Sequence, residues 1–177
     1  MLLRVSIVVL AFMVPLVFGS KSEAANKFVF TAIPDQDESA LRKRFDKVAK
    51  YLSATLSKKV EYVPVKSYAA AVTAFRNNQV QLAWFGGLSG VRARMLVKGS
   101  TAIAQGKADP FFETYFIANA STGLTLSKDF PKKIAGKTFT FGSKGSTSGR
   151  LMPEYHIRKA FGNTPQQVFS RVGFSGN

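Results

Sequence analysis

Hydroxyl side chains gathered beside glycines at the start of a helix can hold an anion, and the stretch FGSKGSTSGR, residues 141–150, has that composition. The apolar residues 138–141 read as a strand running into this loop. Pro153 is tolerated only near a helix start, which puts that start close to residues 148–151. Ser146, Thr147 and Ser148 then lie at a helix N-terminus, where unpaired backbone N–H groups and the positive end of the dipole favour negative charge. An ordinary serine cap on a flexible glycine loop would give the same pattern, and both readings stand on the residues alone. A nucleotide-binding P-loop is excluded: Gly136-Lys137-Thr138 supplies the end of that motif, but Pro131 occupies the position of its first glycine. Lys144 and Arg150 flank the hydroxyls, and both are expected to point to solvent.

A second set of residues strengthens the binding interpretation. Ser67-Tyr68 begins a predicted helix, and Trp84-Phe85-Gly86-Gly87 follows a predicted strand. In a parallel sheet these positions share one edge with residues 141–150, and ligands bind at that edge. The glycine pair lets backbone approach a ligand closely, Tyr68 can donate a hydrogen bond, and the aromatics can wall a pocket; core packing is the ordinary role of such aromatics. The chain has no cysteine and a single histidine, His156, which rules out thiolate chemistry and leaves no metal set. An exported enzyme acting on phosphate or sulfate esters, with Ser146 or Ser148 as nucleophile and His156 as base, is the rival from another class. His156 would lie roughly 12 Å from Ser148 along the helix, which disfavours direct proton transfer.

The elements that must position these residues alternate. KFVFTAI (27–33) reads as a strand stopped by Pro34, and Asp35 to Glu38 as a capping box. Leu41, Phe45, Val48, Ala49, Leu52 and Leu56 follow at helical spacing. VEYVPV (60–65) is a second strand, Ser67 caps a helix ended by Asn77-Asn78, and LAWF (82–85) is a third strand before a helix over 88–97. Further strands are expected over 101–105, 115–118, 137–142 and 168–174, with a helix over 151–161. Strands separated by helices of this length indicate βαβ units and a mostly parallel sheet. There is no internal repeat and no low-complexity segment.

With 46% hydrophobic residues the chain can bury a core, so disorder is excluded. The net charge of +15 suggests a polyanion partner. The cations are spread along predicted helix faces, however, as in Arg42-Lys43-Arg44, and no nucleic-acid partner is expected. A basic envelope protein gripping an anionic polymer is a third class to weigh, separable by its salt dependence. Arg4, the apolar run 5–18 and the small residues after it read as a signal peptide over residues 1–24, with cleavage after Ala24 or Ala25. The run is short for a membrane span, which needs roughly 20 apolar residues; an anchor is the alternative.

VPVKSYAAAVTAFRNNQVQLAWFGGLSG followed by FTFGSKGSTSGRLMPE resembles the periplasmic phosphonate- and phosphite-binding proteins of ABC transporters. FTAIPDQDE and STSGRLMPE bring it closest to a selenate-binding branch of them. The resemblance covers residues 28–177 and implies an α/β, two-lobed periplasmic-binding-protein fold of type II-like architecture. Its lobes would be 27–117 and 118–177, the second incomplete: a lobe of about 60 residues is small for an α/β domain, so the sequence looks cut short. By that likeness Tyr68 is the ligand-contacting tyrosine, and Ser146, Thr147 and Ser148 form the anion clasp. Phe85-Gly86 matches a Tyr-Phe-Gly-Pro region, with Trp84 in place of its Tyr and Gly87 in place of its Pro. Tyr115 lies near another pocket tyrosine, with Phe112 competing for the position. The family continues beyond the equivalent of Asn177 with a histidine and other residues that contact ligand and complete the second lobe.

The implied function is a monomeric solute-binding protein of the periplasm that hands a tetrahedral oxyanion to an inner-membrane permease, without catalysis or cofactor. The residues alone do not decide among phosphonate, phosphite, phosphate, sulfate and selenate. No carboxylate appears in the clasp motifs, which favours a fully ionised dianion such as selenate or sulfate.

Overall fold

Phe28 and Phe30 alternate with Val29 and Thr31 along β1 (Lys27–Ala32), the central strand of a three-stranded sheet ordered β2-β1-β3. The computed structural model describes residues 27–176, so the expected signal peptide lies outside the described residues. β2 (Lys59–Tyr62) and β3 (Leu82–Trp84) both run parallel to β1, with Phe30 in register with Tyr62 on one side and Leu82 on the other. Thr31 is fully buried between them, and its hydroxyl donates to the Val63 carbonyl at 2.7 Å, which removes the penalty of burying it.

α1 (Glu38–Leu56) crosses from β1 to β2 and packs Leu41 and Phe45 onto Phe30 and Tyr62. The rings of Phe30, Phe45 and Tyr62 meet at centroid separations of 5.0–6.0 Å. The helix is capped by Asp37, not Asp35. The Asp37 carboxylate accepts the Ser39 and Ala40 N–H groups, whereas the Asp35 N–H is turned back onto the Ile33 carbonyl after Pro34. The apolar stripe is also narrower than its spacing suggests, since Val48 and Leu56 are exposed. α2 (Tyr68–Arg76) starts as expected, with the Ser67 hydroxyl accepting the Ala70 N–H at 3.0 Å. α3 (Gly87–Leu96) follows β3 through Gly86, which supplies no side-chain cap.

Residues 101–105 and 115–118 are not strands. The three-stranded sheet has no neighbour for them among the described residues, and a strand without a ladder leaves its backbone groups to water. A single 3-10 turn at Asp109–Phe111 interrupts the segment, and Ile103, Ile117 and Leu126 are exposed apart from any core.

The second unit is a two-stranded parallel sheet of β4 (Thr138–Phe141) and β5 (Arg171–Phe174), with Phe141 in register with Phe174. α4 (Met152–Phe161) and α5 (Pro165–Val168) connect them. Sequence reasoning extended the last strand back to Val168. Thr164 instead forms a capping box with Gln167, and Pro165 fixes the first helical turn, so the chain winds once before β5 begins. The core here is built largely of phenylalanine: Phe139 stacks on Phe169 at 4.6 Å, and Phe116, Phe130 and Phe161 close over Ile134 and Ile157.

Candidate anion-binding site

Three helix N-termini converge where the two units meet. Each begins in a loop at the carboxyl edge of a strand: α2 shortly after β2, α3 after β3, and a π-helical turn (Thr147–Leu151) after β4. The π turn runs directly into α4, whose Pro153 lies in the first turn as its chemistry requires. Ser146 caps the π turn, its Oγ accepting the Gly149 N–H at 2.9 Å. Thr147 reaches across to the other unit, where its Oγ1 accepts the Leu88 N–H at 2.8 Å and so caps the otherwise uncapped α3. Tyr68, the first residue of α2, is buried at the same place, its Cβ facing the Gly145 backbone.

These hydroxyls are committed as acceptors toward backbone N–H groups, which leaves their protons free to be donated elsewhere. Each hydroxyl carries one proton and two lone pairs. Burial pushes the Tyr68 hydroxyl above its ordinary pKa, the Asp35 charge adds to the rise, and the nearby Ser146 hydroxyl opposes it. It therefore stays protonated across the physiological range. The hydroxyl of Ser148 makes no hydrogen bond among the described residues; the Ser148 carbonyl accepts from Thr114 Oγ1 at 3.2 Å.

Glycine makes the approach of the two units possible. A Cβ on Gly145 would stand 2.6 Å from Tyr68 Cβ, and one on Gly87 would stand 3.2 Å from Thr147 Oγ1. Gly86 is less constrained, its nearest neighbour being Ile33 Cδ1 at 3.5 Å.

Of the residues singled out from sequence, the fold brings together Tyr68, Gly86, Ser146, Thr147 and Ser148. Phe85 sits beside them as a wall, packed on Tyr68 and Ile33 and edge-on to Phe75 at 5.8 Å. Tyr115 is not in this group: it is 74% exposed, and its hydroxyl is bonded to the Glu113 carboxylate. Phe112 is likewise exposed. His156 is exposed on α4 with its ring edge-on to Tyr155, and among the described residues no hydrogen bond joins it to Ser146 or Ser148. Arg150 does not point to solvent as expected. Its guanidinium lies over the Phe141 ring at 4.7 Å and the Phe174 ring at 5.5 Å, and pairs with Glu154. Lys144 is exposed, yet its ammonium rests over Phe174 at 5.2 Å. The Leu88 amide, Thr114 and the Gly145 contact went unforeseen, because each joins segments far apart in sequence.

Comparison with known proteins gives the arrangement its relatives. Residues 30–177 match the family model described as "ABC transporter, phosphonate, periplasmic substrate-binding protein". The chain is 45% identical over 148 residues to "Probable ABC transporter phosphite binding protein PhnD1" of Prochlorococcus marinus, covering 82% of this chain and 50% of that protein. It is 35% identical over 130 residues to "Phosphate-import protein PhnD" of Mycolicibacterium smegmatis, covering 69% of this chain and 38% of that one. The solved structure of the Prochlorococcus PhnD1 in complex with methylphosphonate matches with a TM-score of 0.69 at 40% identity, over 86% of this chain and 57% of that chain. The chain thus spans about half the length of the curated relatives it matches. These relatives carry names of phosphorus oxyanions and lend no support to the selenate branch. With an α/β fold that superposes on theirs and a match running from the first strand to the last residue, the chain belongs to the family of periplasmic substrate-binding proteins of phosphonate ABC transporters.

Proposed function

We propose that this chain belongs to a solute-binding protein that captures a phosphonate or phosphite dianion between two lobes, 27–117 and 118–177, and delivers it to the permease of an ABC transporter. Residues 1–24 would direct its export to the periplasm, and it would act as a monomer. Tyr68, Ser146, Thr147 and Ser148, with the α3 amides behind Gly86, would hold the oxyanion; Phe85 would wall the site, and Tyr115 would join it on closure of the lobes. The observation that carries this reading is the set of three helix N-termini facing one another across the two units, with their hydroxyls already accepting from backbone N–H groups. Such a cradle offers donors, and a donor set favours an oxyanion without a proton of its own. Asp35, exposed near Tyr68, is the one carboxylate whose charge reaches that hydroxyl.

Titration calorimetry of the full-length protein against methylphosphonate, phosphite, phosphate, sulfate and selenate tests the proposal. Methylphosphonate or phosphite should bind with a Kd on the order of micromolar or tighter. Their affinity should rise with pH through the second ionisation of the ligand. Tighter binding of selenate or sulfate would transfer the protein to the selenate branch. Absence of binding by all five would overturn the proposal.

A further inference from the structure

Beside the cradle lies a second feature that a bare tetrahedral ion does not use. A cleft of about 300 Å³ opens between α3 and the second unit, lined by Leu88, Arg92, Lys144, Arg150, Glu154 and Phe174. It adjoins the cradle directly, since the Leu88 amide is held by Thr147 and Arg150 follows the clasp in the same π turn. That volume lies at the low end of cavities that hold organic ligands, and it leaves room beyond a PO3 head for a substituent.

The charge of the cleft is one-sided. Glu154 is its one carboxylate, and it is shared between Arg150 and Arg158, the latter at 2.7 Å. Arg150 is thereby neutralised and fixed over the two phenylalanine rings. Arg92 and Lys144 have no such partner: neither makes an ion pair among the described residues. They line the cleft from different units, Arg92 one helical turn after Leu88 on α3 and Lys144 from the loop after β4, where its ammonium rests over Phe174. Between them lie the apolar faces of Leu88 and Phe174. A ligand group suited to this space has a short methylene stem and a terminal anion, and a guanidinium and an ammonium lining one cleft match a carboxylate.

We propose that this cleft is a subsite for a carboxylate on the organic substituent of the ligand, so that the favoured ligands are carboxyalkylphosphonates. The proposal rests on the reading that the cradle holds the phosphonate head. Arg92 and Lys144 are the residues that set the preference.

The test is calorimetry on the full-length protein with 3-phosphonopropionate, its carboxylate-free analogue propylphosphonate, and methylphosphonate, at one fixed salt concentration. The carboxylated ligand should bind on the order of tenfold tighter than propylphosphonate, the size expected for one charge-assisted contact. In the double variant Arg92→Gln/Lys144→Gln that ratio should fall to near one. In Lys59→Gln, which removes a cation at the amino edge of the first sheet, away from the cradle, the ratio should persist. Equal affinity for the two ligands in the unmodified protein overturns the proposal even if the double variant does not fold. A ratio that survives the double variant, or that Lys59→Gln abolishes as well, overturns it too, the latter because bulk charge would then be the cause. Methylphosphonate binding with no carboxylate preference defeats the subsite alone, whereas failure of every ligand defeats the cradle reading with it.

Discussion

Replacing Gly145 by alanine probes the contact between the two units at one atom. The added Cβ would meet Tyr68 Cβ at 2.6 Å, Cγ at 3.1 Å and Cδ1 at 3.2 Å. Tyr68 Cβ is attached to the backbone of the first turn of α2, so rotating the side chain does not move it away. Either α2 or the loop after β4 must retreat by most of an ångström, which also moves Tyr68 away from Ser146. Overpacking of this kind costs about 1–3 kcal/mol. In the ligand-free protein the strain is relieved if the units part slightly, so it falls on the closed, ligand-bound arrangement. A loss of about 2–3 kcal/mol raises Kd roughly 30- to 150-fold. The assay pairs methylphosphonate calorimetry with thermal melts of the ligand-free protein, which should shift by no more than about 2 °C. Gly173→Ala is the control, since its Cβ would meet Thr140 Oγ1 at an ordinary 3.4 Å. Affinity unchanged within about threefold, a difference of under 1 kcal/mol, would show that Gly145 and Tyr68 are not in contact when ligand is bound. A ligand-free melt that drops as far as the bound one would refute the partition of strain.

Tyr68→Phe should weaken oxyanion binding by about 1.5–3 kcal/mol, the worth of one hydrogen bond to a charged group, while leaving the melt unchanged; equal affinity would remove the hydroxyl from the site. Replacing Ser146, Thr147 and Ser148 together by alanine should abolish tight methylphosphonate binding. Lys144→Ala should mainly slow association in a salt-dependent way, and stopped-flow kinetics at two salt concentrations separate the two effects. The Asp37 carboxyl is held below its ordinary value by the Ser39 side chain and the Ser39 and Ala40 amides. Its contribution to stability is therefore full above about pH 4 and is lost as pH falls through the depressed value. Asp37→Ala should lower the melting temperature at neutral pH and flatten the acid limb of its pH profile; an unchanged acid limb would refute the cap.

What sequence reasoning reached was local. Ser67 was legible as a cap because a cap is decided within three residues, and the glycine turn at Gly86 for the same reason; the second helix starts a residue earlier than the expected 148–151, with Ser146 as its cap. Asp37 was missed because Asp35 and Asp37 offer the same chemistry two residues apart, and only the turn after Pro34 selects between them. Residues 101–105 and 115–118 have strand composition, but pairing is a property of neighbours, and no neighbour is present among the described residues. Arg150 was misjudged because its seat is built by Phe174, which arrives from another strand. Thr147 also caps α3, a link its sequence context does not announce. Its partner, the Leu88 amide, lies 59 residues away and carries no side-chain signature.

The segment between the two cores has a consequence for how the molecule comes apart. Residues 101–105 enter neither sheet and make no backbone hydrogen bond among the described residues, and the exposed Lys98 and Lys107 stand on either side of them. A protease that cuts after lysine would meet exposed, unpaired backbone here. On one side of such a cut remains the sheet closed by Phe30, Phe45 and Tyr62; on the other, the sheet closed by Phe139, Phe141 and Phe169. Among the described residues, what would still join the fragments is the small set of contacts around Thr147 and Tyr68, so a ligand held there as proposed would rivet the two pieces together.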